Sequence, residues 1–245
     1  MERLICSLKK SKTVQAFICI ISIVVAARLL LVSVFCETYS GSEYTKVYRS
    51  HENSSMKIAL TFDDGPHPVL TPKILAVLEK YGINATFFTV GKNADCYPET
   101  LELIIKNGNE IGNHTHTHRV IKSASKHTVK REIEMCENAI YSHIDCRPKL
   151  FRPPEGSFGK NLIDASDELG YQIVLWNIDT RDWAHTPPEV ISKNVVDNIS
   201  SGSIILMHDY IGHNSPTVEA LELFIPKLLQ MGYKFVVVSE LLGSS

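Results

Sequence analysis

Short apolar runs alternate with amphipathic stretches along most of this 245-residue chain, and this alternation limits the folds that are open to it. The apolar runs predict seven strands, at 57–64, 85–91, 110–114, 149–152, 171–178, 203–208 and 234–238. The amphipathic stretches predict helices at 71–81, 97–107, 128–142, 160–169, 188–199 and 216–231. Glycine follows several of these helices, where a left-handed cap residue belongs, at Gly82, Gly108, Gly170 and Gly232.

Strands that are apolar along their whole length, joined through helices, are typical of a parallel sheet covered by helices. The pattern therefore predicts an α/β fold, and both a (β/α) barrel and a doubly wound open sheet are compatible with it. In either fold, ligands bind at the carboxyl ends of the strands. The net charge of −2 gives no basic surface for nucleic acid.

The N-terminal part differs in composition from the rest. Residues 1–12 are basic, residues 13–36 are almost continuously apolar, and residues 37–56 are polar. A helix over the apolar stretch would reach about 36 Å, enough to cross a bilayer. We therefore predict a cytoplasmic segment, a single transmembrane signal-anchor and an extracellular stalk, followed by a domain at 57–245 outside the cell membrane. A signal peptide cleaved near Ala27, which would release a secreted protein, is the alternative.

Two adjacent carboxylates, Asp63 and Asp64, end the first predicted strand. They would repel each other unless a cation lies between them, so one can be a metal ligand and the other a base. A solvated turn before a helix is the simpler interpretation. Gly65 and Pro66 turn the backbone sharply and would present the pair to a ligand.

Histidines at alternate positions follow the third predicted strand, at His114, His116 and His118. His114 and His118 can converge on one ion if the segment coils after His114, and His116 would then point elsewhere. Two imidazoles and a carboxylate with open coordination positions suit a catalytic divalent metal. Zn²⁺ is the first choice, and Co²⁺ or Ni²⁺ can use the same ligands.

Further strand ends carry Arg152 and His208. Arg152 can hold a catalytic carboxylate ionised through a bidentate pair, and the turn after it can present a backbone N–H to an oxyanion. His208 needs an orienting acceptor before it can act as a general acid, and Asp182 is the candidate. Trp183 and Leu206 can wall a small apolar pocket, although each by itself is equally compatible with a structural role.

These motifs occur in an order that resembles the NodB-homology polysaccharide deacetylases, carbohydrate esterase family four. The matching segments read TFDDGP, HTHTH, RPPEG, DTRDW and LMHD, and the resemblance covers about residues 57–241. It implies a distorted (β/α) barrel of about seven strands. It also implies that Asp63 is the catalytic base and that the metal ligands are Asp64, His114 and His118.

The resemblance extends to the supporting residues. It implies that Arg152 orients Asp63, that Asp182 orients the general acid His208, and that Trp183 and Leu206 line the acetyl pocket. Glu155 is a departure, because the family often has tyrosine there. The role that the family implies at this position is a main-chain N–H that stabilises the oxyanion, which a different side chain need not remove.

We therefore predict a metal-dependent deacetylase that hydrolyses the acetamide of N-acetylated sugars and releases acetate. The predicted anchor favours peptidoglycan N-acetylglucosamine as the substrate, with N-acetylmuramic acid and chitin-like oligomers as alternatives. Two rival hypotheses come from other classes of protein. One is a metal-free carbohydrate-binding module, and the other is a wall-binding or assembly protein whose enzymatic activity is vestigial.

Overall fold

The structure, a computed structural model, describes residues 47–52, 55–210, 212 and 214–243. The strands are β1 (Val47–Tyr48), β2 (Lys57–Asp63), β3 (Thr86–Thr89), β4 (Glu110–Asn113), β5 (Leu150–Phe151), β6 (Gln172–Val174), β7 (Ile178–Asp179), β8 (Ile204–His208) and β9 (Lys234–Phe235). The helices are α1 (Leu70–Tyr81), α2 (Gly91–Cys96), α3 (Pro98–Lys106), α4 (Lys126–Ile144), α5 (Lys160–Glu168), α6 (Pro188–Asn198), α7 (Thr217–Gln230) and α8 (Val238–Leu242). The predicted transmembrane segment 13–36 lies outside these residues. No helix within them combines the length and apolarity that crossing a bilayer requires.

The strands form one parallel sheet in the order β1-β6-β5-β4-β3-β2-β8-β7, with β9 paired to β2 beside this path. The α/β class and the parallel sheet agree with the prediction from the sequence. β2 is central, and its register with β8 places Asp63 opposite His208 at the carboxyl ends of both strands. These ends therefore bring residues from distant parts of the chain together.

The sheet is curled into a half-barrel, and the short connection between β6 and β7 requires the curl. β6 lies near one edge and β7 forms the other, yet only residues 175–177 join them. In a flat sheet, steps of about 4.8 Å between strands would separate them by about 29 Å. The connecting chain reaches at most about 14 Å. The two edges must approach each other, so an open doubly wound sheet is excluded.

The segment that follows β1 bridges the gap between the two edges. Ser50 forms an antiparallel bridge with Ser203, and His51 N donates a hydrogen bond to Gly202 O at 2.9 Å. The folded unit thus includes residues that composition assigned to the stalk at 37–56. The start of the folded domain, predicted at residue 57, is too late. The strand β1 is only two residues long and lies among polar residues, so the sequence pattern does not indicate it.

Two further predictions need correction. The strand predicted at 171–178 is two strands, β6 and β7, at different places in the sheet. The strand predicted at 85–91 ends at Thr89, and α2 begins at Gly91. Because of β1 and the split of 171–178, the sheet has nine described strands rather than about seven. In both cases the apolar run continues through the strand end, so periodicity alone gives no sign of the break.

Alternation along β2 decides which side chains reach the interior of the barrel. Ile58, Leu60 and Phe62 are buried in the cluster that includes the apolar side chains of α1 and α7. Ala59 belongs to a separate interior cluster with residues of β3, β5, β6 and β8, closed at one end by α8. Asp63 has the same parity as Ala59, so its carboxylate lies on the inner face.

We expect Tyr48→Ala to lower the free energy of unfolding by about 1–2 kcal/mol, because Tyr48 is partly buried against the interior cluster. Urea denaturation of residues 45–245 measures this change. Tyr141→Ala is the control, since Tyr141 lies on α4 with 40% of its surface exposed. Equal stability of the two variants would show that β1 is not part of the cooperative unit.

Candidate active site

The residues predicted from the sequence meet at one end of the half-barrel. A cavity of about 350 Å³ opens there, and its lining comprises Asp63, Asp64, His114, His118, Glu155, Trp176, Asp179, Trp183, Leu206 and His208. Arg152 and Asp182 are fully buried and bond directly to residues of this lining. Trp176 and Asp179 had no predicted role. They reach the cavity because β6 ends and β7 begins within the stretch 171–178, and the sequence shows no sign of this interruption.

Asp63 is paired with a buried arginine. Arg152 Nη1 donates to Asp63 Oδ1 at 2.7 Å and to Thr61 Oγ1 at 2.8 Å. Its other donors bind backbone carbonyls, Nε to Val174 O at 3.1 Å and Nη2 to Leu175 O at 3.0 Å. The contact with Asp63 is therefore a single hydrogen bond and not the bidentate pair predicted. Burial lowers the pKa of Arg152, and the charge of Asp63 opposes this shift.

Asp64, His114 and His118 form a cluster that can hold a metal ion, since their ligand atoms lie within 4.8 Å of one another. Asp64 Oδ1 lies 3.4 Å from His114 Nε2 and 3.0 Å from His118 Nε2. This oxygen is buried and has no hydrogen-bond partner among the described residues. Burial tends to raise the pKa of Asp64, but the two imidazoles outweigh it, so the pKa lies well below its usual range.

The tautomer of His114 also suits a metal ligand. His114 Nδ1 lies 2.6 Å from Arg152 O, and because a carbonyl only accepts, Nδ1 carries the proton. In the neutral ring, the lone pair is then on Nε2, which lies 3.4 Å from Asp64 Oδ1. A buried orphan oxygen facing an imidazole lone pair is an arrangement that a divalent cation would satisfy. The residues present thus fit the metal that the resemblance implied.

A buried glutamate shapes the histidine loop. Glu132 of α4 accepts hydrogen bonds from Thr117 N at 3.0 Å and from Thr117 Oγ1, while its backbone O accepts from His116 N at 3.0 Å. His116 lies outside the metal cluster, and a Cβ added at Gly91 would approach its Nδ1 to 2.5 Å. Glu132 was missed because it is one acidic residue on an amphipathic helix.

His208 is held by Asp182. The His208 Nδ1–H donates to Asp182 Oδ1 at 2.8 Å, and His208 N donates to Asp182 Oδ2 at 2.8 Å. Trp183 N and Thr217 Oγ1 donate to the same carboxylate at 2.9 and 2.8 Å. Burial lowers the pKa of His208, but the hydrogen bond and the charge of Asp182 outweigh it and raise the pKa to about 9. The imidazole is therefore cationic at neutral pH.

Another buried carboxylate supports the Asp63-Asp64 turn. Asp209 Oδ1 accepts from Gly65 N at 2.9 Å, and Asp209 Oδ2 accepts from Thr71 Oγ1 at 2.6 Å. A Cβ at position 65 would come within 2.1 Å of this carboxylate, so only glycine fits. Burial raises the pKa of Asp209 to about 7. The sequence signal for a role of Asp209 in the site is its position directly after His208 at a strand end.

The remaining lining residues are the acidic Glu155 and Asp179 and the apolar Trp176, Trp183 and Leu206. Glu155 lies in a short 3₁₀ turn, Pro154–Gly156, with a left-handed φ of 58°. Trp176 packs against this turn, since a Cβ at Gly156 would lie 2.8 Å from its ring. Leu206 is buried, whereas Trp183 has half of its surface exposed at the mouth.

Comparison with known proteins decides the family. Residues 50–174 match the family described as polysaccharide deacetylase. A peptidoglycan-N-acetylglucosamine deacetylase of Bacillus cereus is 41% identical over 192 residues, which are 78% of this chain and 90% of that protein. The chain belongs to the polysaccharide deacetylase family. As a member of carbohydrate esterase family four, it is a hydrolase of the N-acetyl amide of polysaccharides.

Solved structures of relatives share the fold. A peptidoglycan N-acetylglucosamine deacetylase in complex with 4-naphthalen-1-yl-N-oxidanyl-benzamide has a TM-score of 0.80 at 34% identity, over 83% of this chain and 95% of that chain. A family 4 acetyl xylan esterase from Clostridium thermocellum, in complex with a cobalt ion, has a TM-score of 0.72 at 33% identity, over 76% and 90%. The barrel and the deacetylase family were thus both predicted correctly.

We expect His118→Ala to weaken Zn²⁺ binding by more than about 100-fold, because it removes one of the clustered ligand atoms. His116→Ala is the matched control and should bind Zn²⁺ like the wild type. Calorimetric titration of the metal-free protein measures both affinities. Equal losses in the two variants would indicate that the loop conformation matters and that His118 is not a ligand.

Proposed function

We propose that this protein is a divalent-metal-dependent deacetylase that hydrolyses the acetamide of peptidoglycan N-acetylglucosamine and releases acetate. The observation that carries the proposal is one cavity that is lined by an aspartate paired with a buried arginine, by a metal-binding cluster and by a cationic histidine. The substrate is taken from the name of the Bacillus cereus relative, because the match to that protein covers 78% of this chain and 90% of the relative. We also propose an N-terminal membrane anchor that places the domain outside the cell.

The base is Asp63. Its carboxylate takes a proton from the attacking water, and Arg152 orients it through the hydrogen bond of 2.7 Å. The metal ligands are Asp64, His114 and His118. When bound there, a divalent cation, Zn²⁺ or alternatively Co²⁺ or Ni²⁺, supplies Lewis acidity to the carbonyl oxygen and to the water.

The acid is His208. Its imidazolium gives a proton to the departing amine nitrogen, and Asp182 stabilises the positive charge and fixes the ring. The products are acetate and a glucosamine unit. The backbone N–H of Glu155 donates to the oxyanion. Leu206 and Trp183 contact the methyl of the acetyl group.

Acetate release from residues 45–245 tests the proposal, with peptidoglycan and chitin oligomers as substrates. The protein is first freed of metal with a chelator and then given Zn²⁺, Co²⁺ or Ni²⁺ singly. Mass spectrometry of digested peptidoglycan should show glucosamine in place of N-acetylglucosamine. De-N-acetylated muramic acid instead would change the substrate. No acetate from any substrate, with metal bound, would favour a wall-binding or assembly role.

We expect Asp63→Asn to lower kcat by about 100-fold or more, because the amide cannot accept the proton. Circular dichroism verifies that the variant is folded, since the change also leaves the buried Arg152 without a counter-charge. Asp164→Asn is the control, because Asp164 forms a surface pair with Lys160 on α5, away from the cavity. Full activity of Asp63→Asn would refute the role of this residue as base.

Activity should fall at alkaline pH as His208 loses its proton. Its pKa is raised above the ordinary 6.5 to about 9, so the protonated acid is present below about 9 and lost above it. A bound cation repels the imidazolium, so the falling limb is expected at or below pH 9. Any stability that the His208–Asp182 pair gives is likewise complete below pH 6.5 and lost through pH 9.

Asp182→Asn isolates the cause of this shift. Without the Asp182 carboxylate, burial still lowers the pKa of His208 and only the smaller effects of the Asp63 and Asp64 charges raise it, so the alkaline limb of kcat should move to a lower pH. The pH profile of acetate release at saturating substrate measures the movement. An unchanged limb in Asp182→Asn would show that a different group titrates.

A further inference from the structure

The lining of the active-site cavity includes four carboxylates, and the side chains of two have no part in the proposed mechanism. Asp63 pairs with Arg152, and Asp64 belongs to the metal-binding cluster. Glu155 and Asp179 line the same cavity, yet neither forms an ion pair with another residue in the part of the chain that the structure describes. A carboxylate without a counter-charge is available to act on the charge of a ligand.

Glu155 is held in place by its backbone. Hydrogen bonds from Gly156 N to Pro153 O at 2.9 Å and from Ser157 N to Pro154 O at 3.2 Å close the turn on which it lies. The left-handed φ of 58° at Glu155 strains a residue that has a Cβ, whereas glycine would adopt it freely. Strained backbone of this kind is concentrated at functional sites. The side chain is exposed and lines the cavity.

The charge of Glu155 acts at the metal-binding cluster. The hydrogen bond with Asp64 is the main cause that raises the pKa of His118, burial opposes it, and the charges of Asp64, Asp63 and Glu155 add to the rise. The place where the acetamide is expected to bind therefore lies in the field of the Glu155 carboxylate. Because this carboxylate is exposed, the field is moderate and is screened by salt.

The two N-acetylated sugars of peptidoglycan differ in the charge that they would bring into this field. N-acetylmuramic acid has the acetamide of N-acetylglucosamine and, in addition, a lactyl ether with a carboxylate. The ether is on the ring carbon next to the one that bears the acetamide. When the acetamide is at the metal-binding cluster, the lactyl carboxylate is therefore in the same cavity or at its mouth. Glu155 would repel it, whereas the neutral N-acetylglucosamine is not repelled.

We propose that Glu155 is a specificity residue, whose carboxylate disfavours an acidic sugar in the active-site cavity and so favours N-acetylglucosamine over N-acetylmuramic acid. The proposal rests on the proposed function, because it concerns the sugar whose acetamide is hydrolysed. It gives the side chain a role separate from that of the backbone N–H. Glu155→Gln removes the charge and Glu155→Lys reverses it, while both retain the N–H, so selectivity should change in two steps.

Two substrates that differ only in charge test the proposal. Glycan strands freed of stem peptides carry the lactyl carboxylate, and coupling to methylamine converts it into a neutral amide of similar size. Mass spectrometry of strands treated with the full chain and Zn²⁺ gives kcat/KM for the muramyl units. We expect the wild type to prefer the amide about 3- to 10-fold. Glu155→Gln should bring this ratio closer to one, Glu155→Lys should lower it further, and about 1 M salt should reduce it in the wild type.

Glu79→Gln and Glu79→Lys are the matched controls. Glu79 is also an exposed glutamate, but it lies on α1 beside Asn84, just before β3 begins, at the end of the barrel opposite the active site. The same changes of charge there should leave the preference between the two strands as it is in the wild type.

Other results would overturn the role of Glu155 in specificity. Equal changes of kcat/KM for both strands would mean that its side chain acts on hydrolysis itself. Faster hydrolysis of the acidic strand by the wild type would mean that the cations of the site outweigh Glu155. Deacetylation of N-acetylglucosamine units alone, by the wild type and by Glu155→Gln on both strands, would mean that shape and not charge excludes the muramyl unit.

A binding measurement separates this proposal from the catalytic hypothesis. N-acetylmuramic acid and its methylamide, as monosaccharides, are titrated into Asp63→Asn with Zn²⁺ and followed by NMR, with and without Glu155→Gln. We expect the methylamide to bind about 3- to 10-fold more tightly, and Glu155→Gln to narrow the difference. This result would support the role of Glu155 even if no acetate were released from any substrate. Equal affinities of the two sugars in the presence of Glu155 would refute it whatever the activity.

Discussion

The buried ion pair between Arg152 and Asp63 is the interaction on which the site depends. A fully buried guanidinium without partners would be strongly destabilising, so every contact that satisfies it also constrains the fold. Arg152 bonds Asp63 on β2 and the carbonyls of Val174 and Leu175, where β6 ends. Its guanidinium also lies 4.0 Å from the ring centroid of Phe88 on β3. One side chain therefore joins three strands at the mouth of the barrel.

The same residue connects the proposed base to the metal-binding cluster. The backbone O of Arg152 accepts the hydrogen bond that fixes the tautomer of His114, while its side chain fixes Asp63. Two adjacent carboxylates are thereby given different surroundings. Asp63 faces the guanidinium of Arg152. Asp64 faces two imidazoles, and together with them it can bind a metal ion. Asp63 is the last residue of β2, whereas Asp64 has a left-handed φ of 79°, and the two carboxylates reach different partners.

Buried carboxylates behind the cavity hold the loops of the site. Glu132 accepts the backbone N–H of Thr117, Asp182 accepts that of His208, and Asp209 accepts that of Gly65. Each loop follows a strand end and would otherwise have free N–H groups near buried surface. The carboxylates satisfy these groups and restrict the loops to one conformation, which is the preorganisation that a metal and two proton-transfer groups require.

The sequence by itself determined the α/β alternation, the family and the cluster of polar strand ends, because each depends on local patterns or short motifs. Asp63, Asp64, His114 and His208 could be chosen as candidates since each directly follows an apolar run. The alternation itself left both a barrel and an open sheet possible, the family resemblance implied the barrel, and only the tertiary structure shows why the sheet must curl. Residues 171–178 read as one strand, and nothing local shows that β6 and β7 lie near opposite edges of the sheet.

Tertiary structure also decided which partners the site residues have. The single hydrogen bond from Arg152 and the supporting roles of Glu132 and Asp209 all involve residues far apart in the chain. Periodicity reports how a segment alternates between solvent and core, and it carries no information about which other segment it meets. Those contacts depend on the curl of the sheet, which the short connection between β6 and β7 requires.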